Sequence, residues 1–446
     1  AIRIFPSCPQ GLAADFAAPP KHPFGGMSTD CPADADCGGG DGRSSHATAH
    51  VLMAIIGIGY LFPISAIWAA FDYWKLLFPD SNIEYSLTSV YQVGSIATVI
   101  VLSMLRSFSL RPRILFGFSG QFLCLAGIFA FRWLLMPKAA LYATLLALTL
   151  LCSIATGYLD SALLALCSSY SSKMQQYLQI GIGLGTFVSV LYRDGTKLLL
   201  PGDIANATSF YFVVALATVL VCVLSYEMLM SLPVSKHLRQ PAAGAKAAPL
   251  LEDGQDSDSI EAQSSSEGSP ASLRSVLRMI WRNQLVIFLN LTLTTMCYPG
   301  LITSIPCRDL VALRAGSWFQ EVLFTVFTIS DVCGRFMTNR RCGLNHKNIY
   351  ATVAVRAVIF PLMLFCIMGS GVPDALSILV VAAFGFLSGY CVTLALVVIN
   401  EVPGMSVEER KACGRMSACS VNGGLCLGSL VAATVASSLG LAGSPS

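Results

Sequence analysis

An aspartate and an arginine four residues apart, Asp331 and Arg335, lie within the otherwise apolar, helix-length run Trp318 to Arg341, WFQEVLFTVFTISDVCGRFMTNRR. A 3.6-residue period puts positions i and i+4 on one helix face, so carboxylate and guanidinium stand side by side. At the centre of a lone membrane helix each charge would cost about 2.5 to 3.5 kcal/mol, which directs both toward the protein interior or a water-filled cavity. A carboxylate accepts from two vicinal hydroxyls, and a guanidinium donates in a fork to ring or ribose oxygens. The pair therefore suits a neutral, hydroxyl-rich solute. The same two residues also suit a structural ion pair that locks this helix to a neighbour.

The elements that must position the pair are membrane spans. Hydrophobic residues make up 54% of the chain and charged residues 12%, with a mean hydropathy of +0.67; soluble domains carry about 25% charged residues. The net charge of +3 is small and dispersed and points to no nucleic-acid partner. The sixteen Cys fall largely in apolar runs without a CxxC pair, so they read as small hydrophobes rather than a disulfide framework. Cys8, Cys31 and Cys37 have no His or Cys at a zinc spacing, and no metal is expected. His22, His46, His50, His237 and His346 form neither HExxH nor HxxxxD. No enzyme activity and no cofactor are expected.

Apolar runs of about 20 residues occur at 50–72, 87–107, 112–135, 140–167, 175–195, 209–232, 279–302, 318–339, 349–369, 374–399 and 414–439. The fold class expected is an all-α integral membrane protein with eleven transmembrane helices. Residues 1–46, rich in Pro, Gly, Ala and Asp, read as a disordered cytosolic tail. Residues 233–278, containing LEDGQDSDSIEAQSSSEGSP, read as a cytosolic linker. Between them lies a six-helix bundle at 47–232, and after them a five-helix bundle at 279–446. Basic residues cluster at Arg106, Arg111 and Arg113, at Arg340, Arg341 and Lys347, and at Arg410, Lys411 and Arg415. By the positive-inside rule the N-terminus is cytosolic, and an odd number of spans then leaves the C-terminus extracellular. Gly57, Gly59, Gly423 and Gly424 read as points of close helix packing.

Span eight reads DVCGR at 331–335, span nine RAVIFPLMLFC from Arg356, and span ten FGFLSGY ending at Tyr390. Span seven ends in TTMCYPGLIT with Tyr298 and Pro299, and span five holds GIGLG at 181–185. In this order, on these spans, the motifs resemble the equilibrative nucleoside transporter family over nearly the whole chain after the tail. The resemblance implies a 6+5 arrangement of the major-facilitator type that moves nucleosides or nucleobases by alternating access, without ATP, through the lipid bilayer of the plasma membrane. It also implies that Asp331 and Arg335 contact the ribose.

Two departures bear on selectivity. On span one the family's Pro-Trp-Asn stands here as Pro63-Ile64-Ser65, which makes Leu61 and Trp68 the wall residues, with Trp68 a stacking surface. On span four, where the family often carries a Gln that reads the base, spacing back from GIGLG gives Asp160. At about 1.5 Å per residue, Asp160 and Asp331 lie at similar depth. Asp160 is then either a proton-carrying group that couples transport to protons, or a fixed acceptor for a purine N–H edge. Purine nucleosides are the favoured substrate. The alternative is a nucleobase or drug-like organic-cation carrier of the same family. Tyr298 is a further binding candidate, while Arg356 and Pro299 read as structural or gating positions. Arg356 is within reach of the interface by snorkelling, or of an internal carboxylate.

Overall fold

A computed structural model describes residues 41–79, 81, 83–104, 109–131, 136–170, 172–200, 204–235, 273–298, 300–314, 318–369, 371–403 and 405–438. Most of the N-terminal tail, most of the linker, and Pro299 lie outside the described residues. Among those described, all regular structure is helical. The long helices are α1 (Asp41–Ala69), α2 (Ile83–Met104), α3 (Leu110–Ala130), α4 (Lys138–Ser169), α5 (Ser172–Leu199) and α6 (Ile204–Ser231). They continue with α7 (Leu273–Cys297), α8 (Trp318–Met337), α9 in two pieces (Ala351–Ala357 and Ile359–Met368), α10 (Asp374–Val398) and α11 (Val407–Ser438). Each coincides with an expected span. The break in α9 has a local cause: Pro361 has no N–H to offer the carbonyl four residues earlier, at Ala357, where the first piece stops.

By length and composition, nine helices among the described residues are apolar enough to cross a membrane, against the eleven expected. The two that fall short are α5, which carries Lys173, Arg193, Asp194 and Lys197, and α8, which carries Glu321, Asp331 and Arg335. These two helices pack against one another, and across that contact Lys197 meets Glu321, Asp194 meets Thr325 and Arg335 meets Gln179.

One apolar core fills α1 to α6, with Phe62, Phe118, Tyr211 and Tyr226 fully buried, and Ala418 of α11 joins it. Two smaller cores lie among α7 to α11. The two groups of helices meet where α5 lies against α8 and α10, and where α11 lies against α2 and α4. On the outside, large apolar side chains such as Val101, Leu123, Leu224, Phe365 and Leu430 are exposed, as expected of a surface solvated by lipid tails. Close helix approach rests on small residues, as read from the sequence. A Cβ on Gly57 would lie 2.9 Å from the Gly181 Cα, and one on Gly424 would also meet backbone of the facing helix.

Candidate functional site

The site is set by the contact between α8 and α10. A Cβ on Gly334 would fall within 3 Å of backbone atoms of Phe386 and Tyr390, and a Cβ on Gly389 would fall within 3 Å of backbone atoms of Asp331. The glycines of DVCGR and SGY therefore let the two backbones touch, and that contact fixes the height and rotation of Asp331. Asp331 is 4% exposed. Its Oδ2 accepts from Arg335 Nε at 2.6 Å, so the pair expected from the spacing is formed.

Arg335 does not stop at its own helix. Its Nη1 donates across to α5, to the Gln179 main-chain oxygen at 2.9 Å and to Gln179 Oε1 at 3.0 Å. Gly183, one turn further along α5, makes room for this reach, since a Cβ there would be 2.6 Å from Arg335 Cδ and 2.7 Å from its Nε. The GIGLG run thus has a physical role as the bed on which the arginine lies.

Aromatic rings flank the pair. Tyr298 stacks on Phe327, one turn before Asp331 on α8, with centroids 4.3 Å apart. Phe327 meets Phe384 of α10 at 5.8 Å, and the Arg356 guanidinium sits 5.5 Å over the Phe384 ring. Arg356 is fully buried. It uses neither the interface nor a carboxylate: Nη1 donates to the Asn290 main-chain oxygen at 2.5 Å and Nη2 to Thr294 Oγ1 at 2.6 Å. It thereby clasps α9 to α7.

Asp160 lies in a different seam. It is 2% exposed, and its Oδ2 accepts from Asn422 Nδ2 of α11 at 2.6 Å. Asn422 Oδ1 in turn accepts from Ser95 Oγ of α2 at 2.7 Å. Oδ1 of Asp160 is buried without a hydrogen-bond partner. Leu61 and Trp68 are partly buried against the core of α1 to α6. Trp68 meets Tyr91 edge-on at 5.8 Å, and its indole N–H is buried without a partner.

The α5–α8 seam is bridged at both ends. At one end Gln176 Nε2 donates to Thr338 Oγ1 at 3.0 Å and Asn339 Oδ1 at 3.1 Å. At the other, Lys197 pairs with Glu321 at 2.5 Å and Thr325 Oγ1 donates to Asp194 at 3.3 Å. From Gln176 to Lys197 is roughly 30 Å of helix at 1.5 Å per residue, about the thickness of a bilayer core. Arg335 meets Gln179 about one turn from the Gln176 end, and Asp331 stands one turn further in along α8.

Sequence reasoning missed Gln179 and Asn422. A signal was present for both amides. Gln179 precedes Gly183 by four residues and so shares its face, and Asn422 is a lone amide beside Gly423 in an apolar run.

A sequence profile described as "Nucleoside transporter" matches residues 145–436, most of the chain and every site residue above except Leu61, Trp68, Tyr91 and Ser95. The chain belongs to that family. Among relatives of this nucleoside transporter family member, the equilibrative nucleotide transporter 8 of Arabidopsis thaliana is 24% identical over 83% of this chain and 91% of its own. The human equilibrative nucleoside transporter 4 is 23% identical over 85% and 81%. Solved structures agree in fold. A major facilitator superfamily proton:xylose symporter matches with a TM-score of 0.60, at 7% identity, over 90% of each chain. The E. coli fucose:proton symporter matches with a TM-score of 0.52, at 14% identity, over 89% of this chain and 93% of that one. This is a multi-pass membrane transporter, not an enzyme.

Proposed function

We propose that all eleven long helices cross the membrane, in a group of six and a group of five joined by the segment between α6 and α7, and that the transporter carries purine nucleosides by alternating access without ATP. The N-terminus is cytosolic, the C-terminus extracellular and the membrane the plasma membrane. The observation that carries the substrate reading is the buried Asp331–Arg335 pair, held by the glycine contact with α10 and set inside a membrane-length seam between the two groups, with Asp331 about two turns from the Gln176–Thr338 end. A carboxylate and a planar fork side by side match two ribose hydroxyls. The stacked rings of Tyr298 and Phe327 supply an apolar wall for the base. Alternating access would open one end of the α5–α8 seam at a time, breaking the Gln176 bridges on one side or the Lys197–Glu321 pair on the other.

Uptake of labelled adenosine, inosine, uridine, hypoxanthine and adenine into transport-deficient cells expressing the chain tests this reading. Adenosine and inosine are expected to enter and to compete with each other. Entry of free bases without competition by nucleosides would assign the protein to nucleobases. One observation favours the organic-cation reading: the unpartnered, buried Oδ1 of Asp160, where a cationic substrate would find its counter-charge. Inhibition of adenosine uptake by a small aromatic ammonium, lost in Asp160→Asn, would establish it.

The same carboxylate is the place where protons would couple. Asp160→Asn keeps the shape and an acceptor for Asn422 but cannot titrate. Uptake by the parent is expected to rise as the external pH is lowered, and uptake by Asp160→Asn to be flat across the same range. An unchanged acid response in the variant would leave Asp160 as a fixed acceptor.

A further inference from the structure

Arg335 has a partner that the ribose reading does not use. Gln179 is 3% exposed, on the other group of helices, and gives Arg335 Nη1 two acceptors at once, its main-chain oxygen at 2.9 Å and its Oε1 at 3.0 Å. The main-chain oxygen at an α-helical position already serves its own ladder and stays whatever the side chain. The Oε1 contact is therefore the part that residue 179 contributes. A hydroxyl that takes a bond from Nη1 must occupy the space Oε1 now fills, and it must do so while α5 lies against α8.

We infer that Gln179 is the substrate's internal competitor: its Oε1 takes the place of a ribose hydroxyl on Arg335 when the carrier is empty, and it holds the α5–α8 seam shut while the empty site turns from one side to the other. The inference rests on the reading of Asp331 and Arg335 as the ribose site. Physically, a buried guanidinium left without acceptors is costly. A carrier that passes through a closed empty state needs a stand-in for the substrate, and Gln179 is placed to supply one from the helix that must move. Gly183 belongs to the same device, since only a residue without Cβ lets Arg335 lie across α5 to reach Gln179. Gln179 is thus a positioning residue that acts through Arg335.

The test compares the parent with Gln179→Met, which keeps the bulk and removes the acceptor, and Gln179→Glu, which strengthens it. Adenosine and 2′,3′-dideoxyadenosine are the solutes, each measured in net uptake and in exchange. In Gln179→Met the KM for adenosine should fall about tenfold, the scale of one hydrogen bond to an ion, while the KM for the dideoxy analogue stays put. The maximal rate of net uptake should fall relative to exchange, because only net uptake requires the empty carrier to return. Gln179→Glu should raise the adenosine KM. A higher adenosine KM in Gln179→Met, an equal shift for both solutes, or no shift with an unchanged ratio of net uptake to exchange would overturn the inference. If the parent does not distinguish adenosine from its dideoxy analogue, the ribose reading is what fails. The ratio alone then decides whether Gln179 closes the empty carrier.

Discussion

Asp331→Ala should bring nucleoside uptake to background and destabilise the protein by about 3 to 5 kcal/mol, the range for stranding one member of a buried ion pair. The side chains of Asp331 and Arg335 are 6% and 11% exposed, so water does little to replace the lost carboxylate. Gln179 gives Nη1 an oxygen but no charge. Loss of uptake alone would not separate recognition from folding. The double replacement Asp331→Asn with Arg335→Gln removes both charges and keeps hydrogen-bonding shape. It should recover most of the thermal stability lost in Asp331→Ala, because no charge is left stranded, and it should recover no transport. A purely structural pair would recover both. Tm of the purified protein, set beside uptake per molecule at the cell surface, distinguishes the two.

Gly389→Ala should be among the most damaging Gly→Ala changes at the described glycines. The added Cβ would fall within 3 Å of three backbone atoms of Asp331, its carbonyl group and its Cα. Backbone cannot rotate away as a side chain can, so α8 must shift and carry Asp331 with it. Overpacking of this kind costs about 1 to 3 kcal/mol, occasionally more. It outweighs the roughly 1 kcal/mol that Ala gains over Gly in a helix. A lowered Tm and the loss of uptake are both expected. Gly195→Ala is the control: nothing lies within 4 Å of its Cβ position on α5, and the change should leave Tm unchanged or slightly raised. If Gly389→Ala behaved like Gly195→Ala in Tm and uptake, close contact between α8 and α10 would not be what sets the site.

How far the site was legible depends on how local each of its contacts is. Asp331 and Arg335 share one helix turn, so their pairing follows from spacing alone, and the structure forms it. The positions of the long helices were legible for the same reason, since a run of about 20 apolar residues declares itself without knowledge of its neighbours. The partners across helices were not. Gln179 is 156 residues from Arg335, and Asn422 is 262 from Asp160, and nothing in the local pattern says which amide meets which charge. Depth arguments placed Asp160 and Asp331 level with one another but could not give their facing. In the structure each carboxylate bonds in its own seam, one to α11 and the other within α8.

Arg356 shows the same limit from the other side. Its charge inside a span suggested the interface or an acid. Its actual partners are the Asn290 carbonyl and the Thr294 hydroxyl, neutral groups whose alignment depends on how α7 and α9 are packed. The glycine signature was legible as small-residue packing, and Gly57 and Gly424 bear this out. Gly183 adds a role that composition does not reveal, a bed for a guanidinium rather than for a backbone. The two helices that fall short on apolarity, α5 and α8, are the two that meet along the seam. In α8 the charges Glu321, Asp331 and Arg335 account for the shortfall, and in α5 the amides Gln175, Gln176 and Gln179 share in it; on the proposed reading these polar groups are also the reason for the function.

The most direct measurement is equilibrium binding of adenosine and 2′,3′-dideoxyadenosine to the purified transporter, in the parent and in Asp331→Asn. The parent should bind adenosine at least about tenfold more tightly, as expected for hydroxyls bonded to charged groups, and the variant should bind the two alike. A preference for adenosine that survives intact in Asp331→Asn would contradict ribose recognition by this pair.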